Sequence, residues 1–252
     1  MSIIIDVMLS VTKKEYQYFL VLLLEETLQK VYNATIMNYD IIPIKTPILT
    51  HQDDIVEAIK KYGGENIGPR DVVCVAESVV AITQGTAVRC DDLHPGVLAK
   101  FLSHLFPAKG SISSPYSMQM LINYSGGLRV LTGVVLGTLA KCVGVAGVFY
   151  RTAGYQARLI DDVTGTMPPY DKHIVPGPER PSEVSEQIKT ATGAFGACVA
   201  DVNDLKRSHI LGTSKGVDAN LVAQILIDNP FGNDSQKTPI CIIKNYGGEN
   251  AH

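Results

Sequence analysis

The spacing of apolar positions changes period several times along the chain. Thr12 and Glu15 stand at capping-box spacing, and Tyr16, Leu20, Leu23, Leu24, Leu28 and Val31 follow at helical intervals. An N-terminal helical segment is therefore predicted within residues 1–35. Val21 and Leu22 widen its apolar face, which suits a core contact or a partner subunit. Residues 34–43 read as extended. Pro43-Ile44-Lys45-Thr46-Pro47 is barred from helix, because each Pro drives the residue before it toward extended geometry. Asp53 and Asp54 then cap a helix through Ile55, Val56, Ala58 and Ile59, which Gly63-Gly64 ends. Residues 72–75 predict a buried strand, and the apolar run 78–82 carries on to Gln84-Gly85.

The middle of the chain reads as helices rich in glycine. Residues 96–106 have helical periodicity, 111–115 signal a loop, and 128–142 predict a helix with small residues on one side. Gly133 and Gly137 in that helix are read as sites of close backbone packing in a soluble core. Three short apolar runs follow at 157–160, 194–200 and 240–243, each bounded by Gly, Pro, Asp or Asn as strands are. Between the first two lies a rigid polar stretch with Met167-Pro168-Pro169 and residues 176–181. Ser182 is a candidate N-cap for a helix through Val184 and Ile188, and residues 217–226 predict another helix. Strands and helices do not alternate regularly, which argues against a doubly wound sheet. The expected class is α+β: mixed, largely antiparallel strands with helices packed on one side. The expected organisation is the segment 1–35 and a domain over 36–252, with a loose lobe boundary near 107–115.

Composition narrows the function. The 252 residues carry 22 basic and 25 acidic side chains, a net charge of −3. No basic block is present, which argues against a nucleic-acid binder. The five cysteines are widely spaced and contain no C-x-x-C, which is poor arithmetic for disulfides or zinc. Cys74, Cys142, Cys198 and Cys241 sit among small apolar residues, as buried thiols do. No apolar stretch reaches the ~20 residues of a spanning helix. A soluble, cytoplasmic protein with no membrane partner is expected.

Phosphate-binding loops of standard spacing are absent, and so are a nucleophile elbow and an H-E-x-x-H zinc motif. The acidic residues at strand ends say more. Leu159-Ile160 runs into Asp161-Asp162, and Val199-Ala200 runs into Asp201-Val202-Asn203-Asp204. Two such edges side by side would make an oxygen-rich site for Mg²⁺ or Mn²⁺. The same residues also suit turns and caps, where Asp and Asn are favoured.

Taken in order, these pieces resemble the coenzyme F420-0:γ-glutamyl ligase family. The resemblance rests on Ile42-Pro43-Ile44-Lys45-Thr46-Pro47 with Asp53-Asp54-Ile55, on residues 71–78 with Gly85, and on Ile160-Asp161. It continues through the proline-rich approach at 176–188, Asp201-Val202-Asn203 with Gly212, and Pro239-Ile240-Cys241-Ile242-Ile243, covering about residues 36–245. It implies a ligase that uses GTP (or ATP) and Mg²⁺ or Mn²⁺ to activate a carboxylate as an acyl phosphate, which the amine of L-glutamate then attacks. It also implies a homodimer. By resemblance, Asp161, Asp201, Asn203 and Asp204 are metal ligands. Pro47, Ile48, Leu49, Thr50, Glu77, Ser78 and Thr164 line the nucleotide site, with Asn233 and Asp234 from a closing loop at 229–235.

The chain departs from the family pattern at defined points. Ile82 stands where such ligases carry a Lys, which removes a cation that would meet a phosphate. Val202 replaces the Thr of an Asp-Thr-Asn signature, and Asp204 follows where the pattern has Gly. Residues 129–154 have no clear counterpart in the archaeal ligases and look like a bacterial branch whose substrate need not be the deazaflavin. Two other functions fit these departures: the same chemistry on a different acceptor, or a catalytically silent protein that binds a nucleotide or a partner.

Overall fold

The computed structural model describes residues 39–107, 112–162, 168–232 and 236–247, together with Tyr18 and Val21. The predicted N-terminal helix and the first part of the extended stretch 34–43 otherwise lie outside the described residues. So do Thr164, Asn233 and Asp234. By its contacts the chain divides after Asp40, and the unit from Ile41 onward carries the elements below.

That unit is built on a five-stranded sheet of β1 (Ile41–Ile44), β2 (Val72–Ala76), β5 (Gly196–Asn203), β6 (Arg207–Thr213) and β7 (Ile240–Ile243), in the order β1-β7-β2-β5-β6. β2 and β5 run parallel, and the other three pairings are antiparallel. The expected α+β class with a mixed, largely antiparallel sheet is what the chain adopts. Side-chain alternation sends Val73, Val75, Ala197, Val199, Ile240 and Ile242 to one face. There they form a core with α1 (Ile55–Gly63), through Ile55 and Ile59, and α8 (Pro181–Thr192), through Val184 and Ile188. The opposite face holds Cys74, Cys198 and Cys241 in adjacent register positions, all inaccessible to solvent. The sheet is therefore covered on both faces, where cover on one side was expected. α9 (Ala219–Ile225) packs against β6.

A second core lies among helices. α3 (Val97–Ser103), α4 (Pro115–Ser125), α5 (Gly127–Cys142), α6 (Val148–Ala153) and α7 (Gln156–Leu159) gather around Leu102, Met118, Leu121, Val130, Phe149 and Ile160. α2 (Glu77–Thr83) and the two-strand ribbon of β3 (Val88–Arg89) and β4 (His173–Ile174) complete the unit. Close packing at Gly133 and Gly137 is realised against α6. A Cβ on Gly137 would stand 2.9 Å from that of Phe149, and one on Gly133 3.2 Å from that of Ala153. α4 and α5 meet at 112° across Gly126, and among the described residues no single helix is long and apolar enough to cross a membrane.

Several local expectations are corrected. Residues 157–160 are not a strand but the single helical turn α7, and only the following Asp161 pairs, through an isolated bridge to Val175. Four apolar residues in a row carry no period that separates a buried turn from a buried strand. α8 starts two residues earlier than Ser182 suggests, with Pro181 in its first turn and Arg180 at the cap with φ 46°. Residues 78–82 turn helical directly after β2. Cys142 is exposed, unlike the three sheet cysteines.

Candidate active site

The cleft opens where the C-terminal ends of β1, β2 and β5 meet the start of β7. Ile44 pairs with Ile240, so the chain leaving β1 and the chain entering β7 lie at one end of the sheet. The amide of Thr46 donates to Lys237 O at 2.9 Å, and that of Ala76 to Pro239 O at 2.9 Å. Thr50 closes the β1 loop through its amide and hydroxyl, both donating to Asp53 Oδ2 at 2.7 and 3.0 Å. Thr46–Leu49 form one wall, and Phe231, Gly232, Lys237, Thr238 and Pro239 form another. The cavity holds about 460 Å³.

Three carboxylates enter it from three elements. Glu77 is the first residue of α2, just past β2. Asp201 lies on β5 beyond the point where Leu211 bulges out of the β5–β6 ladder, and faces His209 in register. Bulges of this kind bend a strand and re-aim its side chains. Asp161 is held by its bridge to Val175, with hydrogen bonds of 2.8 and 3.0 Å. The turn before it is anchored by buried Gln156, whose side-chain amide accepts from Gly177 N at 2.8 Å and donates to Gly177 O at 2.9 Å.

Electrostatics sets these three groups apart from ordinary surface acids. Burial, then the charges of Asp201 and Asp161, push Glu77 well above the usual carboxylate range. Burial and the charge of Asp201 push Asp161 up to about 7. Burial raises Asp201 as well, partly offset by His209. Oε2 of Glu77 is buried without a hydrogen-bond partner. Like charges desolvated together hold protons unless a cation joins them. Among the described residues no three His, Cys, Asp or Glu side chains converge on one metal position.

The residues expected from sequence divide as follows. Asp161, Asp201, Asn203, Pro47, Ile48, Leu49, Glu77 and Ser78 all line the cleft. Asp204 does not; it sits in the turn after β5, where its Oδ1 accepts from Asn229 Nδ2 at 2.7 Å. Thr50 lies behind the wall in the loop closure described above. Asp162 turns away, accepting from Ser114 Oγ at 3.2 Å. Ile82 and Val202 both line the cleft. Phe231, from the expected closing loop, lines it too, and Thr46, Tyr170 and Lys237 also line it and were not anticipated. A signal for two of them was present: Lys45-Thr46-Pro47-Ile48 recurs as Lys237-Thr238-Pro239-Ile240, one copy leaving β1 and the other entering β7.

The family model described as F420-0:Gamma-glutamyl ligase matches residues 43–235. This chain belongs to the F420-0:γ-glutamyl ligase family. No curated protein matches the sequence. The matched stretch takes in the β1 loop and all three cleft carboxylates, and it ends just short of Lys237. Membership in this ligase family makes the chain a ligase-type protein, with its candidate active site at this cleft.

Proposed function

We propose that the cleft binds a nucleoside triphosphate with Mg²⁺ or Mn²⁺, and that the chain joins a carboxylic acid to an amino acid such as L-glutamate through an acyl phosphate. The observation that carries this reading is the trio Glu77, Asp161 and Asp201, desolvated together, with Glu77 Oε2 unpartnered. Divalent cations bound there would offset charge on the triphosphate and on the transferring phosphoryl group.

The chain's own residues do the positioning. The β1 loop at Thr46–Leu49 and the Lys237–Pro239 segment, tied by the Thr46–Lys237 hydrogen bond, hold the nucleotide from two sides. Lys237 brings to the cleft wall the positive charge that Ile82 does not. A carboxylate oxygen of the acceptor attacks the γ-phosphorus, and the nucleoside diphosphate leaves. The amino acid nitrogen then attacks the acyl carbon, inorganic phosphate leaves, and the nitrogen loses its proton. Burial and mutual repulsion raise the pKa of Glu77 and Asp161, and these two groups with Asp201 would hold the cations.

The homodimer implied by the family resemblance belongs to this reading, as does a cytoplasmic location. A silent nucleotide- or partner-binding role is the second reading, favoured by the apolar Ile82 and Val202 in the cleft wall. Calorimetric titration of GTP and ATP, with and without Mn²⁺, separates them. Metal-dependent binding of one nucleotide, lost in Asp201→Asn, followed by phosphate release when glutamate and an acceptor are added, supports the ligase. Binding without turnover across an acceptor screen supports the silent reading. No nucleotide binding in any condition refutes the nucleotide site.

A further inference from the structure

Charge is segregated along this chain. Residues 93–160, which contain α3 to α7, include no Asp or Glu but carry Lys100, Lys109, Arg129, Lys141, Arg151 and Arg158. The other 16 basic residues share the remaining chain with all 25 acidic ones. A protein with a net charge of −3 thus has one stretch whose ionised side chains are all cationic, with acids only at its border, where Asp162 accepts from Ser114 Oγ and Glu179 stands near Tyr124.

The same lobe exposes apolar side chains in contiguous elements. On α3, Val97 is 86 % and Phe101 62 % exposed. On α5, Leu128, Leu131, Val135 and Leu139 recur at three- and four-residue intervals along one exposed face. The α5–α6 connection, Cys142-Val143-Gly144-Val145-Ala146-Gly147, is apolar and exposed throughout, with Val143 at 77 %. Lys141 precedes it, and Arg151 braces it by donating from Nη2 to Ala146 O at 3.1 Å. Contiguous exposed apolar surface of this kind marks an interaction site.

We propose that the helical lobe docks on an anionic lipid surface. α5 lies along the interface, the 142–147 tip enters the headgroup region, and the exposed Lys and Arg side chains meet lipid phosphates. An apolar face flanked by Lys and Arg is the pattern of helices that rest in the interface plane. Among the described residues no single helix is long and apolar enough to span: α5 has 16 residues and meets α4 at 112°. A second copy would bring the same excess of Lys and Arg to this face, whereas an anionic lipid surface brings the opposite charge. The absence of a membrane partner, expected above, rested on the lack of a spanning segment, a criterion that does not bear on surface docking.

Sedimentation of the full chain with vesicles tests this, comparing phosphatidylcholine alone with phosphatidylcholine containing about 30 mol% phosphatidylglycerol. The chain should pellet with the anionic vesicles at least about 10-fold more than with the neutral ones, and lose that preference as salt rises. The pair Val143→Asp and Val145→Asp, at exposed positions, should abolish pelleting, and Lys141→Glu should weaken it. Lys60→Glu, an equal charge change outside the lobe, should leave it unchanged. Equal partitioning to both vesicles, no pelleting, or indifference to the 143, 145 and 141 substitutions overturns the proposal. So does a homodimer that Val143→Asp splits, which would give this face to a second copy.

Discussion

Glu77 and Asp201 leave neighbouring parallel strands at the same level, because the residues before them, Ala76 and Ala200, are register partners in β2 and β5. Two acids delivered this way cannot separate without breaking the ladder, and Asp161 is brought beside them by its bridge to Val175. Metal affinity should therefore depend steeply on pH. Asp161, pushed up to about 7, must lose its proton before it can coordinate. Mn²⁺ titrations at about pH 6 and pH 8 should show tighter binding at the higher value, and Asp161→Asn should remove most of that difference.

The same groups destabilise the metal-free fold. The folded-state pKa of Asp161 is raised to about 7, whereas the unfolded value is about 3.9. Stability from this group is complete below pH ~4, falls as pH rises between the two values, and stays low above ~7. Asp161→Asn should raise metal-free stability at pH ~8 by about 1–3 kcal/mol, measured by urea unfolding.

Asp71 behaves in the opposite sense. Burial would raise its pKa, but hydrogen bonds from Lys244 Nζ and from the amides of Asn245 (2.9 Å) and Gly68 (2.7 Å) outweigh it and leave the group below its usual range. Its contribution is present above pH ~4 and disappears as pH falls through the folded value. Asp71→Ala should cost about 2–4 kcal/mol at neutral pH in a denaturant melt, and the cost should shrink in acid. An unchanged midpoint would count against this clamp between the start of β2 and the end of β7.

Lys237 is exposed and lines the cleft, and its carbonyl accepts from the amide of Thr46 in the β1 loop at 2.9 Å. Lys237→Ala should weaken nucleotide binding by about 10-fold, as the loss of one charge-assisted contact does. Metal binding measured without nucleotide should hardly change. The converse pattern would place Lys237 outside phosphate recognition.

Thiol labelling should sort four of the five cysteines by place in the fold. Cys142 on the α5–α6 tip is exposed and should react first. Cys74, Cys198 and Cys241 sit inside the sheet; burial pushes the Cys74 thiol up, and contact with Cys74, then burial, pushes Cys198 up. These three should react only on unfolding, counted by mass after alkylation in native buffer and in denaturant. Early labelling of any sheet cysteine would contradict the register that aligns them.

The family order of motifs was legible along the chain, and so were β2, β5, β7, α1 and α5, because each has a local cause: a buried β-rich run, a capping Asp54, or a long apolar period. The turn at 156–159 was not legible, since four apolar residues look alike as strand or helix. Asp204 resembled a ligand because it follows Asn203, yet its side chain is taken by Asn229, 25 residues further on. Lys237 escaped notice because its partner Thr46 is almost the whole domain away, and only their spatial meeting gives the repeated Lys-Thr-Pro-Ile meaning.

By itself the sequence determined the class of fold, the family, the cleft acids Asp161 and Asp201, and the uneven distribution of charge, because all of these reside in residue type and local spacing. Tertiary structure decided which acids share a cleft, that Lys237 joins its lining, and which apolar helix face stays exposed. Those outcomes depend on strand register and on contacts between distant segments, and the free energy of such contacts is not written in any short stretch of chain.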